Sequence, residues 1–422
     1  MEKKVWIFNH YATTMFFNCN GRHHNFAKCL NLDGYDTTIF CANTIHNSLQ
    51  DPINIGNELY IEKTSADGIR YVFIKTVKYT GNGKNRIKNM VMFAINLYKV
   101  AREYAIKNGR PDILIPSSVH PLTLVSGLFL KRHFHVPCIG EVRDLWPEYI
   151  FLSGRTSETS ILGKLLIAGE HWIYRNVDQL IFTKEGDHDY LIERGWDTNH
   201  GGDIDLAKCH YINNGVDLAA FNSKKEKNVL RDADLQNDKF KVCYIGAISP
   251  ANDVGCLLDA AKLLAEYADI EFIIYGDGVD LPDLMKRVKE EKLANVKLKG
   301  FINNKYAAYI LSCSSVNVLN YSQKLVNWKR GNSSNKLFEY MASGKPIIAT
   351  VHMGYSIINK YHCGVEMDEN TPEELARQVL RFYSMKSTEY QQLGQNAKDG
   401  AKDFDFANLT KKLEAVIHQC QA

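Results

Sequence analysis

The sequence predicts an α/β protein made of two doubly wound domains, each a parallel sheet covered by helices on both faces. Short apolar runs alternate with stretches of helical period along most of the chain. The alternation breaks at a charged, polar stretch, residues 222–238 (NSKKEKNVLRDADLQND), and then restarts. The 422 residues suit two domains of roughly 200 residues each. The expected boundaries are 1–215 and 216–400, with a terminal segment over 401–422.

In the first domain, Val5–Phe8 reads as a strand, followed by a loop ending at Gly21 and helical spacing from Phe26, Ala27 and Leu30. Thr37–Cys41 and Tyr71–Ile74 read as strands. Asn85–Asn108 reads as a long helix with Ile87, Met90, Val91, Ala94, Leu97, Tyr98 and Ala101 on one broad face. Ile113–Ile115, Cys138–Val142 and Gln179–Phe182 are further strands, with a helix at Gly163–Asn176 between the last two. The second domain reads as strands at Lys241–Ile245, Glu271–Ile274, Val296–Leu298, Val316–Leu319 and Pro346–Ala349. Helices at Val254–Tyr267, Leu281–Leu293, Lys305–Ser312 and Asn335–Ser343 separate them. Phe406–Gln419 reads as a terminal helix whose docking the pattern does not place. Open α/β sheets bind ligands beyond the carboxyl ends of their strands, so two such sheets facing each other would share one central cleft.

Composition excludes several classes. Hydrophobic residues make up 45 % and charged residues 23 %, which argues against disorder, collagen and a coiled-coil rod. Lys and Arg number 51 against 48 Asp and Glu, a net charge of +3, too weak for a dedicated nucleic-acid binder, and no nucleic-acid partner is expected. None of the ten cysteines forms a CxxC pair, and they read as reduced, buried, small hydrophobes of a cytoplasmic protein. The opening residues lack a signal-peptide pattern, and no apolar run approaches the roughly 18 residues of a membrane span.

The densest chemical signal is Gly331–Thr350 (GNSSNKLFEYMASGKPIIAT). Ser333, Ser334 and Asn335 are good helix caps. A helix amino terminus with free N–H groups favours a phosphate, and Lys336 adds a mobile cation in the first turn. Glu339 lies about 6 Å beyond the cap at 1.5 Å per residue, roughly the distance from a pyrophosphate to a ribose. An ordinary capped helix explains the same pattern equally well.

This segment resembles the carboxyl-terminal signature of family-4 retaining glycosyltransferases of the GT-B fold. In particular it looks like the bacterial surface-polysaccharide branch that reads S-x-N-K-L-F-E-Y-M-A-x-G-K-P. Residues 21–28 (GRHHNFAK) are similar to the family's glycine-plus-helix element. Residues 141–148 (EVRDLWPE) resemble a stretch of the N-acetylfucosamine-transferase-like branch. Residues 213–217 (NNGVD) resemble the linker motif P-N-G-V-D, and residues 244–252 (YIGAISPAN) and 275–278 (YGDG) resemble two loops of its nucleotide domain.

The resemblance implies a GT-B enzyme with two Rossmann-like domains facing a central cleft, the first binding acceptor and the second the nucleotide sugar. It implies Gly21, Gly246, Gly276, Gly300, Ser333, Ser334, Asn335 and Glu339 as donor-binding residues. Arg143, Asp144, Glu148, His120 and Lys336 are the implied catalytic set. In the family two glutamates eight positions apart bracket the signature helix, the first on the sugar and the second on the ribose. Glu339 matches the second, but Gly331 stands at the first. Many relatives clamp the pyrophosphate with Arg and Lys in the loop after the first strand of the second domain. Residues 246–255 contain neither; Lys336, Arg143 or Lys329 and Arg330 could supply the charge instead, with Lys336 favoured because it follows the cap. Many relatives place a His at Arg143, whereas the polysaccharide branch uses Arg-Asp there.

The implied reaction is transfer from a UDP-hexose or UDP-N-acetylamino sugar to a polyprenyl-diphosphate-linked saccharide, of O-antigen or capsule type. It proceeds with retention and without a metal or other cofactor. A UDP-sugar epimerase and a non-catalytic nucleotide-sugar-binding subunit are the rivals. The pairs Asp203 and Asp205, and Asp232 and Asp234, imitate a metal-binding DxD but sit in polar loops. No HExxH arrangement is present, and no structural metal is expected. His120 either touches a sugar or caps a helix. Arg143 and Asp144 could equally be a structural ion pair. Nine basic residues against one acid between Lys75 and Arg110 read either as a helix that lies on an anionic membrane surface or as a core helix with solvated ends.

Overall fold

The computed structural model describes residues 2–152, 154–323 and 328–420; residues 1, 153, 324–327, 421 and 422 of the expected segments lie outside the described residues. The chain divides into two compact units, Met1–Asn213 with Phe406–Ala422, and Asn214–Asp405.

The first unit holds β1 (Lys3–Phe8), β2 (Tyr35–Ala42), β3 (Tyr60–Thr64), β4 (Arg70–Ile74), β5 (Ile113–Ser118), β6 (Ile139–Val142), β7 (Gln179–Phe182) and β8 (Cys209–Tyr211). They form one sheet in the order β3-β4-β2-β1-β5-β6-β7-β8. Seven strands run parallel; β3 pairs antiparallel with β4 at the edge. The central strands are apolar runs because both faces of a parallel sheet are covered. Helices Lys84–Asn108, Pro121–Phe134 and Ile161–Asn176 cover one face, through Phe93, Leu97, Leu124, Leu128 and Ile173. Helices Arg22–Leu32 and Phe406–Gln419 cover the other, and Phe26 meets Phe406 edge-on at 5.4 Å. The terminal helix therefore completes the core of the first unit, a docking that the sequence pattern left open.

The second unit holds β9 (Phe240–Ile245), β10 (Ile270–Tyr275), β11 (Val296–Gly300), β12 (Val316–Leu319), β13 (Ile347–Ala349) and β14 (Gly364–Glu366). The order is β11-β10-β9-β12-β13-β14, parallel throughout. One face carries helices Gly255–Leu263, Leu281–Glu290 and Pro372–Tyr383. The other carries Leu218–Lys227, Ala307–Cys313, Asn335–Ser343 and Ser387–Asp403.

One expectation needs correcting, and one stretch left unassigned is resolved. The polar stretch 222–238 carries parts of two helices, Leu218–Lys227, capped by Asp217 through the Ala220 amide at 2.8 Å, and Ala233–Gln236. Each helix buries a single anchor, Phe221 or Leu235, so its composition stays polar. The sheet of the first unit is also not wholly parallel. The antiparallel β3 (YIEKT) went unread because an edge strand pairs on one side only and keeps polar residues facing water.

Strand order reverses between β1 and β5 in the first unit and between β9 and β12 in the second. Loops diverge at such a reversal and leave a crevice at the carboxyl ends of the strands.

Candidate active site

In the second unit the crevice lies beyond Ile245 of β9 and Leu319 of β12, and the helix Asn335–Ser343 starts beside it. Ser334 is the N-cap but makes no side-chain cap, so the leading N–H groups are left for another acceptor. The Ser334 amide itself donates to Asn332 Oδ1 at 2.7 Å, and the Ser333 carbonyl accepts from Asn214. These two contacts hold the turn open ahead of the helix. Asn335 is exposed at the tip.

Lys336 reaches back over the strand ends. Its Nζ donates to Asn252 Oδ1 at 2.9 Å and Tyr244 Oη at 3.3 Å. It also lies over the rings of Tyr321 and Tyr244, 4.7 and 5.0 Å from their centroids. No carboxylate pairs with it among the described residues, and burial lowers its ammonium to about 8. Glu339, one turn on, is half-buried and has no hydrogen-bond partner among the described residues; burial raises its carboxyl, which Lys224 opposes weakly. A cation short of counter-charge and a carboxylate short of donors thus sit one helical turn apart.

Glycine makes this approach feasible. A Cβ on Gly246 would come 2.8 Å from Lys336 Nζ. Gly276 has φ +154°, and a Cβ there would meet the Gly246 carbonyl at 1.8 Å. Its amide donates to the Gly300 carbonyl at 2.8 Å. Gly246, Gly276 and Gly300 therefore lie together at the ends of β9, β10 and β11; the first two are crowded, and Gly300 faces open space at φ +70°.

In the first unit the crevice lies beyond Phe8 and Ser118. His10 and His120 occupy it, with His10 Nδ1 and His120 Nε2 2.6 Å apart. Both are fully buried, and His10 stacks on Phe93 at 4.2 Å. Burial lowers His120 to about 3, with Arg86 adding to the effect, and holds His10 well below the usual histidine range. Both rings are neutral at physiological pH, and His120 Nδ1 has no partner among the described residues.

Beside them lies a buried polar hub. Glu141 accepts from Arg22 Nε at 2.7 Å, His23 Nε2 at 2.8 Å and Ser117 Oγ at 2.7 Å. Burial would raise its carboxyl, but Arg22 and His23 outweigh it and hold Glu141 well below the usual carboxylate range. Asn9 Nδ2 donates to His23 Nδ1 at 2.7 Å, which fixes the imidazole as the neutral Nε2–H tautomer. Gly21 opens this helix at φ +115°. It belongs to the first unit, and the other glycines of the expected donor set belong to the second.

Arg143 and Asp144 follow the hub at the end of β6. The Arg143 amide donates to Ser118 Oγ at 3.2 Å. Among the described residues its guanidinium makes no ion pair. Asp144 is 67 % exposed and faces Lys184 at 3.6 Å, so the Arg143–Asp144 pair weighed from sequence does not form. Glu148 lies half-buried in the first turn of the helix Trp146–Leu152.

The DxD imitations are engaged elsewhere. Lys299 holds Asp232 and Asp234, His171 and Arg175 hold Asp203, and Asp205 caps a short helix. One group of metal-ligating side chains does come together among the described residues, Cys19, His24 and Asp67. His24 is already bonded there to Asp67 at 2.7 Å and Tyr71 at 2.8 Å.

The chain matches two family models, one in each half of the sequence. Residues 23–220 match Glycosyltransferase Family 4, and residues 239–385 match Glycosyl transferases group 1, together more than four-fifths of the sequence. This chain is a GT-B glycosyltransferase.

Solved structures share the fold over the same span. The glycosyltransferase is similar to sucrose-phosphate synthase (tll1590) from Thermosynechococcus elongatus, at 16 % identity and a TM-score of 0.69 over 99 % of both chains. It is similar to Alr3699/HepE from Anabaena in complex with UDP-glucose, at 14 % identity and a TM-score of 0.65 over 99 % of both chains. It is also similar to WaaG, a glycosyltransferase involved in lipopolysaccharide biosynthesis, at 10 % identity and a TM-score of 0.60 over 98 % of this chain and 99 % of that one. Comparison with curated protein sequences returns no match.

At Gly331, where the resemblance expects a glutamate, the backbone favours glycine. The residue has φ +97°, and a Cβ would come 3.3 Å from the Gly354 carbonyl, so the turn is built for glycine. Sequence reading missed His10, the Glu141 hub and the tyrosine seat of Lys336. Their signals are polar residues just past the ends of apolar runs: Asn9 and His10 after Phe8, and Asn320 and Tyr321 after Leu319.

Proposed function

We propose that this glycosyltransferase moves a sugar, with retention, from a uridine diphosphate sugar to a lipid-linked saccharide in surface-polysaccharide assembly. The observation that carries the donor side is the uncapped tip at Ser334 with Lys336 and Glu339 behind it, at the strand-order reversal of the second sheet. The diphosphate would lie against the leading amides and Lys336, and Glu339 would accept the ribose hydroxyls. Breaking the sugar–phosphate bond leaves growing negative charge on the diphosphate. Fixed N–H groups and a partly desolvated ammonium stabilise that charge without reorganising. Removing one such donor costs about 3 kcal/mol, on the order of 100-fold in rate.

In the first unit Asp144 is the exposed carboxylate suited to an acceptor hydroxyl, with Glu148 one turn on. Arg143 supplies a cation unclaimed by any ion pair among the described residues. His120 and His10, buried and neutral, shape the crevice and do not act as bases. No step calls for a metal. The UDP-bound neighbour and the lipopolysaccharide enzyme named above support the donor class and the biosynthetic setting, respectively.

The helix Lys84–Asn108 supports attachment to a membrane surface. Met90, Leu97 and Ala101 face the core, but Ile87, Val91 and Ile95 form an exposed apolar stripe beside exposed Lys84, Lys88 and Lys99. No helix among the described residues is long and apolar enough to cross a membrane.

The test is a nucleotide-sugar panel read by thermal shift and UDP release. One UDP-sugar should stabilise the protein and release UDP only when a lipid-linked saccharide is added. Release without acceptor, interconversion of the sugar, or stabilisation by no uridine nucleotide would each overturn the proposal.

A further inference from the structure

The helices over one face of the first sheet leave a slot that sugar transfer itself does not use. It lies among Pro121–Phe134, Trp146–Leu152 and Ile161–Asn176 and has a volume of about 200 Å³. Its walls are hydrocarbon and indole, from Leu122, Val125, Pro147 and Leu165 with Trp146 and Trp172. Glu170 also borders it, but its carboxylate is taken by the hydroxyls of Tyr174 and Tyr190, each at 2.7 Å. Polar lining appears where the slot meets the ends of β5 and β6, at Ser118 and Asp144.

The slot is held open. Trp146 is fixed by its indole N–H, which donates to the Val119 carbonyl at 3.1 Å. Gly169 borders the slot in mid-helix, and a Cβ there would meet nothing within 4 Å. Glycine inside a helix costs about 1 kcal/mol relative to alanine, and no packing contact crowds this position. At the rim of the slot the same helix exposes Leu165 at 65 %, and beyond it Ile161 at 82 % and Leu162 at 56 %; the neighbouring helix exposes Tyr149 and Leu152. Contiguous apolar surface of this kind marks a binding face.

We infer that this slot binds the hydrocarbon chain of the lipid-linked acceptor, with the chain entering beside Asp144. The inference rests on the lipid-acceptor reading above and gives it an address. Away from its polar end the wall is mostly apolar and offers a peptide backbone few hydrogen-bond partners, whereas an alkenyl chain needs none. The polar end coincides with the proposed acceptor carboxylate, so head and tail of one molecule are served by adjoining surfaces. Exposed Arg155 and Lys164 flank the slot in sequence, and Lys84, Lys88 and Lys99 lie on the same helical layer. These cations complement the phosphates that join chain to saccharide. The volume falls below the roughly 300–1,000 Å³ of a drug-sized pocket, so it suits a short stretch of branched hydrocarbon, with the rest lying along the exposed ridge.

The test uses the full chain, geranylgeranyl diphosphate as probe, and emission from Trp146 and Trp172 as readout, with UDP titrated in parallel. Wild type and Gly169→Ala should bind the probe. Gly169→Phe, which fills the notch, should bind it at least tenfold more weakly while keeping its UDP affinity and melting temperature. If Gly169→Phe does not fold, Leu165→Glu on the exposed rim should show the same selective loss. Equal binding by wild type and a folded slot variant overturns the inference, as does a wild type that binds UDP but not the probe. A dimer in solution that Leu165→Glu disperses would make the slot a self-interface and overturn it too. Probe binding without UDP binding would sustain the slot and count against the donor site instead.

Discussion

Lys336 links donor affinity to pH. Its ammonium is lowered by burial to about 8 from an ordinary 10.5, since it sits over two tyrosine rings with neutral oxygens as partners. A bound diphosphate supplies the missing counter-charge and raises it again. Only the protonated lysine binds well, so affinity falls as pH rises through the free-state value. Between pH 7 and pH 9 the protonated fraction drops from about nine-tenths to one-tenth. That is a loss of about tenfold in affinity, or roughly 1.4 kcal/mol. Calorimetry in buffers of different ionisation enthalpy should show nearly one proton taken up per UDP at pH 9 and almost none at pH 7. Lys336→Met should bind UDP more weakly at pH 7 and lose the pH dependence. Flat affinity between pH 7 and 9 in wild type, with no buffer-dependent enthalpy, would refute the leaving-group role.

Glu339→Ala should weaken UDP binding by about 2 kcal/mol, the range of hydrogen bonds to a charged group, and the loss should vanish with 2′,3′-dideoxy-UDP. Gly276→Ala should destabilise the protein by roughly 1–3 kcal/mol in urea unfolding, because its Cβ strikes the Gly246 carbonyl at a left-handed φ. Glu170 gives a stability-versus-pH signature, since burial raises its carboxyl from 4.5 to about 7. Between those values the folded state keeps a proton that the unfolded chain has released, so stability falls as pH rises across that window, by up to about 3 kcal/mol. Glu170→Gln should flatten this decline in unfolding midpoints measured from pH 4.5 to 8. Neutralising Lys84 and Lys88 should reduce sedimentation with anionic vesicles in a salt-sensitive way; unchanged sedimentation would reject the membrane-facing helix.

Much of the fold was legible because its signals are local. Gln179–Phe182, Val316–Leu319, Asn335–Ser343 and Phe406–Gln419 begin and end where period and caps place them. The half-polar edge strand Tyr60–Thr64 and the singly anchored helix Leu218–Lys227 lacked a periodic apolar face and went unread. The signature helix was readable as a candidate anion site, but the seat of its lysine was not. Asn252 and Tyr244 lie 84 and 92 positions from Lys336 in sequence, and only the parallel register of β9 and β12 brings them together. The Glu141 hub has the same character. Arg22 stands 119 positions from its partner, so the motif around Arg143 showed exposed chemistry and hid the carboxylate that braces it.

The most direct test of the donor site is a crystal structure with bound UDP. The diphosphate should lie within hydrogen-bonding reach of the amides at Asn335 and Lys336 and of Lys336 Nζ, with the ribose hydroxyls on Glu339. Nucleotide density elsewhere in the second unit, or a ribose turned away from Glu339, would contradict it.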